Sequence, residues 1–228
     1  MTYSTARRLL PPPLLRYVYH FETSIEQAVR GFSAALPDGS RILDAGAGET
    51  QYKRFFSRHR YIAVDLAIGD ASWNYSSIDA LADLARLPFR DFSFDAALNI
   101  VTLEHLSDPA GALLEIARVL RADAPLLLVA PHEWEVHQAP HDYFRYTRHG
   151  LEHLLRNAGF SNLEIVPIGG FWRLLARRLL NAVQLSPLLL KPFTLLIFGP
   201  LALLAAALDP LDARRDFTLG YRCLARKA

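Results

Sequence analysis

A doubly wound α/β sheet is the fold the sequence predicts, and three observations predict it. Apolar strand-like runs alternate with helical patterns along most of the 228 residues. The first run, Arg41-Ile42-Leu43, passes directly into Asp44-Ala45-Gly46-Ala47-Gly48, a turn whose glycines let a ligand meet bare backbone at the carboxyl edge of a parallel sheet. Apolar residues make up 51% of the chain, enough to bury one large core.

Each element follows in order. Arg7-Arg8-Leu9-Leu10 has the look of an export signal, but three prolines follow at once and Arg16, His20 and Glu22 interrupt any apolar run, so no signal peptide is expected. Residues 13–35 carry a helical pattern in which Tyr17, Tyr19 and Phe21 are expected to pack. After the strand at 41–45, Tyr52, Phe55 and Phe56 stand at core spacing and predict a helix over 50–60. Tyr61-Ile62-Ala63-Val64-Asp65-Leu66 is a second strand ending in a carboxylate. Asp65 lies about 20 residues beyond the glycine turn, where an acidic side chain accepts hydrogen bonds from ribose hydroxyls. The segment Asp79–Phe89 opens with a short strand that has a carboxylate, Asp83, just past it, and Phe94-Asp95-Ala96-Ala97-Leu98-Asn99-Ile100-Val101 forms a buried strand.

The second half of the chain continues the alternation. Pro109–Arg121 is a helix with proline in its first turn and Leu113, Leu114, Ile116, Val119 and Leu120 on its apolar face. Residues 125–131 are the fifth strand. A helix then ends at Asn157-Ala158-Gly159, with Gly159 as its C-terminal cap. Strands at 162–168 and 217–226 finish the sheet.

The glycine turn describes its own ligand. A dinucleotide fingerprint places a third glycine at the helix start to admit a pyrophosphate, and Gln51 occupies that position. Asp44, inside the turn, would face the phosphates with nothing to neutralise it. A nucleotide-type ligand presenting a cation or hydroxyls fits better.

With these residues in register, the chain resembles the class I S-adenosylmethionine-dependent methyltransferases, in particular the type 11-like group with an Asp-x-Gly-x-Gly first motif. Leu87-Pro88-Phe89, Phe94-Asp95, Leu103-Glu104-His105 and Val119-Leu120-Arg121 follow in that family's order. The resemblance spans 38–170 and the last dozen residues. It implies a Rossmann-like seven-stranded sheet with the last strand antiparallel. It also implies S-adenosylmethionine as cofactor, bound by Asp44, Gly46, Gly48, Asp65, Leu66, Asp83, Leu84, Asn99 and Ile100. The first-motif glycines would admit the methionine and ribose moieties, Asp65 the ribose hydroxyls, Leu66 and Asp83 the adenine. Leu84 would meet a ring nitrogen, and the Asn99 and Ile100 backbone the methionine ammonium. Val101 departs from the pattern, since many relatives carry a polar or acidic residue there.

The expected organisation is one domain over 1–228: an N-terminal helical cap at 1–37, a cofactor-binding core at 38–170, an apolar helical insert at 171–216 and a final strand at 217–228. The insert departs from the family's short connection. Pro192–Leu208 is free of charge, and as a helix its 17 residues span about 25 Å, short of the ~30 Å hydrocarbon core of a bilayer. Gly199-Pro200 would also kink it. Before it, Phe171–Leu180 interleaves aromatics and leucines with Arg173, Arg177 and Arg178, the composition of a basic helix on an anionic membrane surface. A peripheral contact with the cytoplasmic membrane face is expected; a homodimer interface or a roof over the pocket in a soluble protein is the other reading.

Histidines follow the fourth and fifth strands, so the acceptor side of the reaction is read from them. Transfer to a hydroxyl needs a base, and a histidine titrates in the right range. His105, His132, His137 and His141 are the candidates. In His132-Glu133-x-x-x-His137 the histidines are one residue too far apart for the helical zinc motif, and Pro140 argues for a loop, so no metal is expected.

Composition limits the alternatives. Net charge is only +2, with three lysines, which gives no broad basic surface for nucleic acid. A lone Cys223 leaves no internal disulfide and suits a reducing compartment. The expected activity is therefore O-methylation of a small apolar or lipid-linked acceptor. A nicotinamide-dependent oxidoreductase and a catalytically silent cofactor-binding membrane scaffold are the alternatives, the first opposed by Gln51 and Asp44, the second by the nearby bases.

Overall fold

In the computed structural model, which describes residues 3–70 and 72–228, a seven-stranded sheet runs in the order β3-β2-β1-β4-β5-β7-β6. Its strands are β1 (Arg41–Ala45), β2 (Arg60–Asp65), β3 (Ala80–Leu81), β4 (Ala96–Ile100), β5 (Pro125–Pro131), β6 (Phe160–Pro167) and β7 (Gly220–Lys227). The β1–β2, β1–β4, β2–β3 and β4–β5 pairs are parallel, and β7 enters antiparallel. The order reverses between β1 and β4, and in sheets of this kind the ligand site lies at such a switch point, at the carboxyl edge.

Contacts group the chain into two compact units: residues 1–25 with 167–220, and residues 26–166 with 221–228. The second unit holds the sheet. Strand β4 is buried at all five positions and β5 at all but its first, as expected of parallel strands covered on both faces. Leu43, Leu98, Leu113, Ile116, Leu126 and Leu128 make its fully buried centre. Helix α4 (Pro109–Val119), preceded by three N-terminal helices, is capped by the Asp108 carboxylate, which accepts from the Gly111 amide. Helix α5 (Arg148–Asn157) is capped by Thr147 and closes at Gly159, whose φ of +84° is the left-handed conformation a helix C-terminus calls for.

Two predicted helices differ in detail. The helix expected over 50–60 is only a 3-10 turn at Lys53–Phe55. Thr50 is left-handed at φ +57°, and Phe56 alone is fully buried, so no apolar stripe sustains further turns before β2 begins. The pattern over 13–35 divides into α2 (Pro12–Val18) and α3 (His20–Ala35), because Tyr19 leaves helical geometry at φ −114°, ψ 49°. Ahead of these lies α1 (Tyr3–Leu9); residues 1 and 2 of the expected cap fall outside the described residues.

The insert of the first unit is a pair of helices, α6 (Phe171–Leu185) and α7 (Lys191–Leu208). They pack through small side chains, Ala176 against Ala202, Ala205 and Ala206, with Trp172, Leu175 and Leu179 around them. Asp209 ties the far end back, accepting from the Gly170 and Arg173 amides. Pro200 lies inside α7 without ending it; the Leu196 carbonyl it cannot serve belongs to an exposed residue. With the 3-10 turn that follows, the run is 21 residues at mean hydropathy 1.8, long and apolar enough to cross a membrane. The uncharged stretch Pro192–Leu208 is the part of this run that the sequence reading considers.

Candidate active site

The glycine turn sits at the switch point. Gly46 has φ +89° and Gly48 φ +51°. A Cβ at Gly46 would lie 2.1 Å from Cγ2 of Thr102, so the position excludes every side chain on packing as well as conformation. Thr102 in turn donates its hydroxyl to the Gly46 carbonyl at 3.1 Å, joining the turn after β1 to the loop after β4. At Gly48 the nearest neighbour is the Trp73 ring, 3.3 Å from the would-be Cβ.

Asp65 braces this turn from the end of β2. One carboxylate oxygen accepts from the Gly48 amide at 2.9 Å and the other from the Ala67 amide at 2.8 Å. Each oxygen keeps a further lone pair for a ligand hydroxyl. Leu66 beside it is exposed, as a platform for a planar ring requires, whereas Leu84 is buried. Asp83 accepts from the Ala85 amide in a tight turn.

Asp44 and Asn99 are the buried polar pair of the crevice. Asp44 is 1% exposed, and its carboxylate takes the Tyr61 hydroxyl as donor. Burial pushes its pKa up to about 7, against the opposing pull of the Tyr61 hydrogen bond. Asn99 is fully buried at the end of β4 and donates Nδ2 to the Ala45 carbonyl at 2.8 Å, while its Oδ1 finds no donor. Ile100 follows, buried, and Val101 takes the left-handed φ of +54°, a strained conformation for a β-branched residue.

The four histidines fall into two settings. His105 and His137 come together, rings edge to face with centroids 4.7 Å apart. His105 Nδ1 lies 2.6 Å from the His141 carbonyl and His137 Nδ1 3.1 Å from the Glu135 carbonyl. A carbonyl only accepts, so Nδ1 carries the proton in both neutral rings and Nε2 presents a lone pair. Burial lowers the His105 pKa below the usual range. His132 is held apart, at the Tyr146 carbonyl and the Tyr221 ring, and the half-buried His141 ring pairs with the Tyr143 hydroxyl.

Sequence reasoning did not single out Glu104 as a site residue. It is fully buried, and among the described residues neither carboxylate oxygen has a hydrogen-bond partner beyond what its own amide offers. Desolvation raises its pKa to about 8. Its Oε1 is 3.8 Å from His105 Nε2. The loop carrying His137 is clamped by Asp142, whose carboxylate pairs with Arg145 at 2.6 Å and accepts the His137 amide at 2.9 Å. The signal for Glu104 was the Leu103-Glu104-His105 motif; Thr102, Tyr61 and Trp73 gave none.

Residues 43–128 match the methyltransferase domain family. Over that stretch the chain carries the signature of S-adenosylmethionine-dependent methyltransferases, and its curated and solved relatives include enzymes of that kind. It is similar to a 37.1 kDa protein from a Streptomyces fradiae transposon, 33% identical over 190 residues, 68% of this chain and 55% of that one. A probable S-adenosylmethionine-dependent methyltransferase of Mycobacterium tuberculosis is 34% identical over 97 residues, 40% of this chain and 35% of its own length. The chain thus spans little more than half of the first of these relatives and about a third of the second. Among solved structures, a Burkholderia thailandensis 1,6-didemethyltoxoflavin-N1-methyltransferase with S-adenosylhomocysteine bound shares the fold, with a TM-score of 0.55, 19% identity and coverage of 100% of this chain and 91% of that one.

The methyltransferase site fits its cofactor by chemistry. The orphaned Asn99 Oδ1 is a buried acceptor suited to an ammonium, and Asp65 retains lone pairs for two hydroxyls. The carboxylates Asp44, Asp65 and Asp83 suit a ligand without phosphate. S-Adenosylmethionine, once bound, supplies a methyl group on a positively charged sulfur.

Proposed function

We propose that this chain methylates an oxygen atom of a small apolar or lipid-linked acceptor at the cytoplasmic face of a membrane. The observation that carries the reading is the convergence, on one sheet edge, of the Gly46–Asp65–Asn99 set with the His105–His137 pair. The first set positions the methyl donor. The pair stands at the ends of β4 and β5, where an acceptor hydroxyl would enter, and offers Nε2 lone pairs to its proton.

The transfer is a displacement. The acceptor's oxygen–carbon bond forms as the carbon–sulfur bond breaks, the electron pair returns to sulfur, and the hydroxyl proton leaves to a base. Positioning carries most of such a reaction, so buried, hydrogen-bonded supports under the turn matter more than a strong base.

The membrane part of the reading rests on α7. Phe193, Leu195, Leu196, Ile197, Leu201 and Leu204 are exposed on it, a contiguous apolar surface of the kind that marks a lipid or protein contact. Leu185, Leu188 and Leu189 extend it across the hairpin between α6 and α7. Arg173, Arg177 and Arg178 make α6 basic in composition, as in helices that anionic lipid attracts, with Arg177 paired to Glu22 and Arg173 over the Tyr17 ring.

Incubation with 13C-methyl-labelled S-adenosylmethionine and a bacterial lipid extract tests the reading. Label should move to the organic phase and resonate as a methoxy carbon. An N-methyl resonance, or label confined to water-soluble products, would refute the oxygen or the lipid part respectively.

A further inference from the structure

We propose that Glu104, His105 and His137 form a binding site for a first-row divalent metal ion of the zinc type. One ligand atom from each lies within 4.8 Å of the other two. Glu104 is the decisive member. A carboxyl group that is fully buried, with neither oxygen partnered beyond its own amide among the described residues and one of them 3.8 Å from His105 Nε2, lacks the partners such a group ordinarily has, and a cation would supply them. His105 Nε2 is likewise buried and unpartnered.

The surroundings prepare the ligands as metal sites do. Both imidazoles turn Nδ1–H to a backbone carbonyl, of His141 and of Glu135, which fixes the tautomer and leaves Nε2 to bind. Asp142 accepts the His137 amide and is itself held by Arg145, so His137 is placed by a supported loop. Two imidazoles and one carboxylate match zinc, iron, manganese or cobalt, whereas magnesium prefers an all-oxygen set. Bonds of about 2.0–2.2 Å to each donor require the three side chains to close by up to about 1 Å.

Three protein ligands leave a coordination position open. The site's existence is independent of the acceptor; its use rests on the O-methylation reading. Under that reading the acceptor oxygen takes the open position, and its proton is released to solvent because the cation lowers the hydroxyl pKa. The histidines then serve as ligands and no longer as bases.

The test uses the full-length protein stripped with chelator and titrated with Co2+, following its visible absorption. One equivalent should bind and give bands of a nitrogen and oxygen environment. Glu104→Gln and His137→Ala should each weaken binding at least 100-fold, with S-adenosylhomocysteine binding retained as evidence of fold, while His132→Ala binds as the parent does. X-ray absorption at the zinc edge of the reconstituted parent, which needs no variant, should show two imidazole ligands. Absence of stoichiometric Co2+ binding, a spectrum without imidazole, or undiminished binding in both ligand variants would overturn the site. Loss of S-adenosylhomocysteine binding in the parent would instead count against the methyltransferase reading.

Discussion

The Tyr61 hydroxyl of β2 donates to the buried Asp44 carboxylate of neighbouring β1, fastening the glycine turn from beneath. The Asp44 pKa stands at about 7, raised by burial first, with the hydrogen bond pulling against it. Because the folded value exceeds the ordinary 3.8, the folded chain binds the extra proton between the two. Stability from this group is full below pH 4 and is lost as pH rises toward 7. Tyr61→Phe removes the one neighbour favouring the ionised form. The variant should lose about 1–3 kcal/mol at pH 8 and less at pH 5, read by urea denaturation at both values. An equal loss at both would mean that Asp44 is already ionised at pH 5.

Gly46→Ala and Gly48→Ala separate packing from conformation. Both put a side chain at positive φ, but only at Gly46 does the Cβ collide, at 2.1 Å from Thr102, against 3.3 Å from Trp73 at Gly48. Gly46→Ala should cut S-adenosylhomocysteine affinity by more than tenfold and lower the melting temperature. Gly48→Ala should do less on both counts. Calorimetric titration beside a thermal melt checks the order, and the reverse order would place the Trp73 wall, rather than Thr102, as the tighter constraint.

At Asp65 the two carboxylate oxygens do different work from the ligand's hydroxyls, since each already holds a backbone amide. Asp65→Asn keeps one acceptor and turns a donor toward the other amide. It should therefore weaken S-adenosylhomocysteine binding about tenfold or more, and cost about 1–3 kcal/mol of stability through the unpaired amide. Asp65→Ala should bind no better. A purely ligand-facing role would leave the unliganded melting temperature unchanged in both variants.

Much of this site was legible in the chain because its parts are local. Strand β1 running into Gly46 and Gly48, and β2 ending in Asp65, are written as short contiguous apolar runs followed by turn chemistry. What escaped is long-range. Glu104 and His137 are 33 positions apart on separate loops, and only packing shows that a carboxylate in a short 3-10 turn ends up without solvent. The helix expected over 50–60 failed for a related reason. Tyr52, Phe55 and Phe56 have the spacing, but Thr50 spends the first turn in left-handed geometry, which spacing does not encode.

The apolar hairpin yields the last prediction. Leu189 is 86% exposed and Leu196 76%, and burying such side chains is worth about 1.5–3 kcal/mol each. A few leucines partitioning together therefore suffice for firm lipid association, with arginines on α6 adding salt-sensitive attraction to anionic headgroups. Full-length protein should float with anionic vesicles, and less with neutral ones at low salt. Replacing Leu195, Ile197 and Leu201 with aspartate should abolish flotation while leaving S-adenosylhomocysteine binding intact. Alkaline carbonate then tests depth: a peripheral contact is released, whereas a 21-residue run that crosses the bilayer stays with the pellet. Flotation unchanged in the triple variant would remove the hairpin as the membrane element. A parent that never floats but sediments as a dimer, with the same three substitutions yielding monomer, would assign these side chains to a second copy of the chain.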